Sequence, residues 1–122
     1  MVKTHNRDAL ILPGGIVESG ESPAAAGRRE VLEEVGLDVS LGRLLAVQHL
    51  TAVDGRPSSV QFVFDSRPIV GHPELTLQDD EIETAHWLHP MDAIERHGGR
   101  GRERMSAALS ARTGGPVIFL DS

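Results

Sequence analysis

Apolar and polar positions along this chain follow two different periods, and the change from one to the other marks the elements. Residues 8–12, Asp-Ala-Leu-Ile-Leu, form an apolar run stopped by Pro13, Gly14 and Gly15, which predicts a short buried strand ending in a turn. Ser22 followed by Pro23 is an N-cap with proline at the first helical position, and Gly36 is a natural stop. Together they predict a helix over residues 23–35. In that helix Ala24, Ala25, Val31, Leu32 and Val35 read as an apolar arc. Glu30, Glu33 and Glu34 read as the opposite arc, with small Ala26 on the acidic side.

Further along, residues 43–53 and 58–65 read as strands joined around Asp54-Gly55-Arg56-Pro57, with Val60, Phe62 and Phe64 alternating with Ser59 and Gln61. Residues 67–80 are loop-like. Residues 84–88 predict a short strand carrying Trp87, residues 90–96 and 103–112 predict helices, and residues 117–120 a closing strand. The second of those helices places Met105, Ala108 and Leu109 on one side. Strands interspersed with helices imply a mixed α/β class, and without repeats the 122 residues read as a single domain, 1–122.

Charge narrows the functional classes. A net charge of −6 argues against binding a nucleic-acid polymer, whose partners present basic faces. No apolar run approaches membrane-spanning length and the first seven residues lack a signal-peptide core, so no membrane partner is expected and the cytoplasm is the default location. Cysteine is absent, which excludes disulfides and thiolate-bound zinc. His86 and His89, three apart near a strand end, would point to opposite faces, so the six histidines are read as surface or core residues.

The acids are not spread evenly. Five of the eighteen fall within residues 18–34, and Glu30, Glu33 and Glu34 share one side of the helix. Carboxylates held together repel unless a cation lies among them, and Mg²⁺ or Mn²⁺, which favour oxygen ligands, would relieve that repulsion. A solvated acidic face is the plain alternative. It does not also require Gly15, Glu21 and Gly36 at fixed offsets.

Those offsets are the most specific feature of the chain. Residues 15–37 read G-I-V-E-S-G-E-S-P-A-A-A-G-R-R-E-V-L-E-E-V-G-L, which is G-x5-E-x7-R-E-x2-E-E-x-G. This stretch resembles the Nudix box, the signature of Nudix hydrolases, with every fixed position filled. At average residue usage, seven such positions coincide by chance roughly once in 10⁸ windows. Leu12-Pro13-Gly14-Gly15 ahead of the box, and Trp87-Leu88 before a short helix, are also similar to the family.

The resemblance implies an α/β/α sandwich with a mixed sheet that hydrolyses a nucleoside diphosphate linked to another moiety, with Mg²⁺ or Mn²⁺ held under the pyrophosphate. It implies Glu33 and Glu34 as metal ligands, Glu30 as ligand or base, and the Gly14 carbonyl as a further ligand. Arg29 would orient the catalytic carboxylates, although an exposed pair with Glu33 is its simpler reading. Glu21 would assist through water, and loop residue Glu81 would bind metal or activate water, with Glu83 a weaker candidate. Lys3 and Arg7 are candidates to reach substrate phosphates, although lone basic residues near a terminus are usually solvated. The substrate class is a nucleotide-type small molecule, with a nucleoside triphosphate, oxidised or not, slightly favoured. An ADP-ribose or nucleotide-sugar pyrophosphatase, and a weak or inactive nucleotide-binding module of the same fold, are the alternatives.

One departure stands out. Only fourteen residues precede Gly15, so the usual N-terminal strand is expected to be missing. An open edge at residues 8–12 would then invite a second chain, and a homodimer is the expected assembly.

Overall fold

The computed structural model describes residues 1–121. In chain order it contains β1 (Val2–Thr4), α1 (Pro23–Val35), β2 (Leu41–Leu50), β3 (Ser59–Ser66), β4 (Ile82–Ala85), α2 (Pro90–Arg96), α3 (Gly101–Arg112) and β5 (Ile118–Asp121). β1 pairs antiparallel with β4. The other three strands form a mixed sheet in the order β3-β2-β5, with β2 antiparallel to β3 and parallel to β5. Among the described residues no helix is long and apolar enough to cross a membrane.

Two separate cores hold these layers. α3 lies on one face of the mixed sheet, where Ala107, Ala108 and Ala111 meet Leu45 and Ala46, with Val63, Ile118 and Leu120 packed around them. Alanines on the inner face bring the helix close. Arg43 of β2 then fastens its far end, donating to the carbonyls of Ala111 and Gly115. The second core joins α1 to the small sheet through Val2, Val35 and Ile82, flanked by Ile11, Val31 and Leu37. Burying such side chains stabilises by roughly 1.5–3 kcal/mol each. Val2 alone therefore gives a three-residue β1 reason to hold its place.

Residues 8–12 are not the strand that their apolar run predicts. Leu10 and Ile11 form single bridges, Ile11 to Val2 and Leu10 to His97. Ile11 exchanges both backbone bonds with Val2, at 2.8 and 2.9 Å. On the other side the Leu10 N–H donates to Arg96 and the Leu10 carbonyl accepts from Gly98. A short apolar run without period does not distinguish a strand from an extended link. β1 stands ahead of it, so the N-terminal strand expected to be missing is present in a short form. The open edge expected here is closed within the chain, and the homodimer loses that premise.

α1 matches its predicted bounds. The Ser22 hydroxyl accepts from the Ala25 N–H at 3.1 Å, and Gly36, with φ of 75°, ends the helix by donating to Leu32. Its faces differ from the expectation. Ala26 and Glu34 are buried with Val35, whereas Ala25 is exposed and Leu32 is about half exposed. Hydrophobicity alone assigned the arcs, but the turn at residues 13–15 also packs on α1 and covers part of the acidic side. β4 stops at Ala85, so Trp87, expected within a strand over residues 84–88, lies beyond the strand that forms, stacked on His72 with ring centroids 5.4 Å apart.

Candidate active site

Arg29 organises the acidic side of α1. Its Nε and Nη2 donate to the two carboxylate oxygens of Glu21, at 3.1 and 2.7 Å, a bidentate pair. Nη1 donates to Glu30 at 2.9 Å and to Glu33 at 3.3 Å, and Nη2 also reaches the Ile16 carbonyl at 3.1 Å. One guanidinium thus ties the loop before the helix to two glutamates on it. Its hydrogen bonds to Glu21, then to Glu30, raise the Arg29 pKa far above its ordinary value. The Arg29 hydrogen bond, seconded by the Glu18 N–H, holds the Glu21 pKa below its ordinary value.

Glu34 lies on the inner side. Its Oε2 accepts from the Gly14 N–H at 3.2 Å, so the turn at residues 13–15 closes over it. Gly14 is therefore seen as a donor to Glu34 through its N–H. Gly15 lies directly on Glu30: a Cβ there would overlap the carboxylate, coming within 2.8 Å of Oε2. Any side chain at position 15 would push the Glu30 carboxylate from this place.

Burial pushes the Glu34 pKa up to about 7, against the Gly14 hydrogen bond, and the negative charges of Glu30, Glu81 and Glu33 push in the same direction. Glu81 comes from a distant loop. Backbone bonds from Thr76 to Val35 and from Gln78 to Glu34 stitch that loop to the end of α1, and the Glu81 N–H donates to Gln78. The loop glutamate singled out from sequence is thus brought into the field of the box.

The other candidates divide. Lys3 is bound to Glu83 across the β1–β4 pair, and that contact lowers the Glu83 pKa, so both are occupied with each other. Arg7 faces a broad cleft of about 1420 Å³ that runs between the two cores. Gly14 and Gly15 form part of its wall, and behind them lie Glu34 and Glu30, which do not themselves line it. Phe62, Phe64 and Trp87 supply its aromatic surface. Arg56, His97, Arg100 and Arg104 also line it, and sequence reasoning passed over all four. The one sign of them was the Gly98-Gly99-Arg100-Gly101 run, whose close backbone packing no local pattern discloses.

The donor set for a cation consists of carboxylates, the oxygen ligands that Mg²⁺ and Mn²⁺ favour. The Glu34 pKa is raised first by burial and then by the negative charges of Glu30, Glu81 and Glu33, and a cation would offset those charges. Among the described residues no three such groups form a closed cage. The fit is one of charge and donor type.

The NUDIX domain family model matches residues 1–109. The chain belongs to the Nudix family. This Nudix domain is 52% identical over 40 residues to diphosphoinositol polyphosphate phosphohydrolase 2 of Rattus norvegicus, a match covering 33% of this chain and 22% of that protein. It is 32% identical over 108 residues to the NAD-capped RNA hydrolase NudC of Stutzerimonas stutzeri, covering 87% of this chain and 37% of the relative. The Nudix domain spans between a fifth and half of the length of the curated relatives it matches. Among solved structures, a UDP-X diphosphatase superposes with a TM-score of 0.76 at 24% identity, over 98% of this chain and 59% of that one. The likeness at that identity shows the fold, a Nudix-type α/β arrangement. Members of the family generally use divalent metal ions.

Proposed function

We propose that this domain is a pyrophosphohydrolase that cleaves the pyrophosphate of a nucleoside diphosphate linked to another moiety, in the cytoplasm, with Mg²⁺ or Mn²⁺ as cofactor. The observation that carries this reading is the Arg29 knot beside buried Glu34, since binding alone does not require carboxylates held at one point around a guanidinium. Membership of the family and its hydrolase relatives support it. Glu30, Glu33, Glu34 and the Gly14 carbonyl would hold the cation. When bound, it neutralises pyrophosphate oxygens and makes water more acidic.

The residues of the chain supply positioning. Arg29 fixes Glu21, Glu30 and Glu33 relative to the turn at residues 13–15. Glu30 serves as ligand or base, Glu21 assists through water, and Glu81 is the loop carboxylate that activates water. Arg7, one of the basic residues lining the cleft, reaches a substrate phosphate. The aromatic surface of Phe62, Phe64 and Trp87 is available to a base, and a nucleoside triphosphate remains slightly favoured over an ADP-ribose or nucleotide-sugar substrate. The proposed assembly is a homodimer.

The test is a panel of linked nucleoside diphosphates and nucleoside triphosphates, assayed with and without EDTA. The expected result is turnover of at least one compound, abolished by chelation and restored by Mg²⁺ or Mn²⁺. Turnover by protein confirmed to be metal-free would overturn the mechanism. Tight nucleotide binding without turnover would favour the inactive module.

A further inference from the structure

Away from the glutamates, the cleft is basic. Arg7, Arg56, Arg100 and Arg104 line it, and Asp8 is its one acid among the described lining residues. This local excess runs against the net charge of −6. The arginines gather where α3 begins. Arg100 is the N-cap residue and makes no side-chain cap bond, Arg102 and Arg104 follow within the first turn, and Glu103 is the acid there. Arg102 is engaged, donating from its guanidinium to the Glu95 carbonyl at 3.0 Å and from its N–H to Gly99. A helix N-terminus carries partial positive charge, so Arg100 and Arg104 at that end would be favoured by an anion.

A buried histidine and a half-buried arginine lie at this end of the cleft. His97 is 3% exposed, and its Nε2 has no hydrogen-bond partner. The ring packs on the first residue of α3, with Nε2 2.7 Å from where a Cβ on Gly101 would stand. Its Nδ1 donates to the Gly98 carbonyl at 3.0 Å, so Nε2, itself buried, is the ring nitrogen without a partner. Arg104 is half-buried and donates through Nη1 to the Oε1 of fully buried Gln48 at 2.6 Å. It forms no ion pair with a carboxylate among the described residues. Burial, then the neighbouring Arg100, lowers its pKa, the mark of a guanidinium short of a counter-charge.

We propose that Arg104, His97 Nε2 and the uncapped N-terminus of α3 form a second anion subsite, which takes a phosphoryl group at the far end of the moiety linked to the nucleoside diphosphate. The inference rests on the hydrolase reading for the first subsite, where Gly14 and Gly15 meet the cleft. The pyrophosphate lies at that end and the distal phosphoryl group at the other. Because Nδ1 is the donor to Gly98, Nε2 of the neutral ring carries a lone pair. The phosphoryl group therefore binds with one proton, held between its oxygen and Nε2, while Arg104 and the helix N–H groups face the remaining oxygens. Arg7 and Arg102 also face His97 and favour the anion, and Asp8 is the acid that opposes it.

Two measurements separate this subsite from the hydrolase reading. The first titrates protein kept in EDTA with inorganic phosphate and follows the His97 ring by NMR. A saturable shift of the His97 resonances at millimolar phosphate, lost in Arg104→Met and retained in part by Arg104→Lys, is expected. A His97 signal that does not move in the wild type, or that moves equally in a folded Arg104→Met, overturns the subsite. The wild-type titration decides the matter even if Arg104→Met fails to fold. The second compares hydrolysis of a nucleoside diphosphate linked to a phosphorylated sugar with that of its unphosphorylated counterpart. The phosphorylated compound should show a KM about tenfold lower, with kcat within twofold, and Arg104→Lys should shrink that difference. Equal KM values would overturn the substrate assignment. A His97 response without turnover of any compound would leave the anion subsite standing and remove the hydrolase reading.

Discussion

Glu34 is a carboxylate that folding has moved out of water and placed beside other carboxylates, and its chemistry follows from that. With its pKa raised to about 7, the folded state holds a proton that the unfolded chain has already released. The stability contribution is therefore full below the ordinary glutamate range and is lost as pH rises through about 7. Glu21, Asp38 and Glu83 have lowered pKa values and act in the opposite direction, but only in acid below that range. Between pH 5 and pH 8 the lowered pKa values of buried His97 and the Met1 amino group act in the opposite direction, so the Glu34 contribution is read as the difference between wild type and Glu34→Gln in metal-free protein. The stability of the wild type relative to Glu34→Gln should fall as pH rises across this window. A difference that does not change with pH would show that Glu34 is not desolvated as described. Glu33 is different, about half exposed and held by a single Arg29 bond of 3.3 Å. Glu33→Gln should leave the melting midpoint nearly unchanged and lower kcat by about 10²-fold, by analogy with other deletions of transition-state charge stabilisation. Steady-state kinetics with the Mg²⁺-loaded protein checks this, and near-wild-type turnover would return Glu33 to ordinary surface.

At the scale of elements, the ends of α1 matter more than its middle. Gly36 has a φ of 75°, and a Cβ there would come within 3.0 Å of Thr76. Thr76 donates to Val35 and starts the stitching that delivers Glu81 to Glu34. Gly36→Ala should cost about 1–2 kcal/mol for the left-handed backbone alone, which lowers the melting midpoint by roughly 4–8 °C. The midpoint measured by circular dichroism should fall further than for Gly20→Ala, where φ is 84° and a Cβ meets nothing. Equal losses would mean that the Thr76 contact yields without cost. Both ends of α1 were legible from sequence because Ser22, Pro23 and Gly36 act on their own neighbours. The hairpin of β2 and β3 was legible through the alternation of Val60, Phe62 and Phe64. Residues 8–12 were not, because what fixes them is Val2 on one side and Arg96 and Gly98 on the other. The burial of Glu34 was hidden for the same reason: its cover comes from Gly14, which no helical wheel includes. The Arg29 pairing with Glu21 joins residues on either side of the helix start, and the fixed offsets of the box disclosed it where periodicity could not. Arg104 and His97 had no such offsets.

For the whole molecule, the consequence of two cores is that the mixed sheet is covered by α3 on one face and only partly on the other. Val60 and Phe62 on β3 and Phe119 on β5 are exposed, at 51%, 41% and 64%. β3 and β5 are also the outer strands of their sheet, each with one backbone edge unpaired among the described residues. The proposed homodimer therefore rests on these strands instead of on residues 8–12. Unpaired edges flanked by apolar side chains associate unless charge or proline blunts them. β3 ends in Asp65 and Ser66, but its Val60 end carries no charge, and the apolar residues of β5 precede only Asp121. Phe119 is the better residue to alter, because it lies outside the cleft while Phe62 lines it. Light scattering at micromolar concentration should give twice the chain mass for the wild type. Phe119→Glu should give a monomer that keeps its helical signal and its turnover. A wild type that is monomeric across that range, with a cooperative melt, would show that water alone satisfies both edges, and the dimer would be wrong.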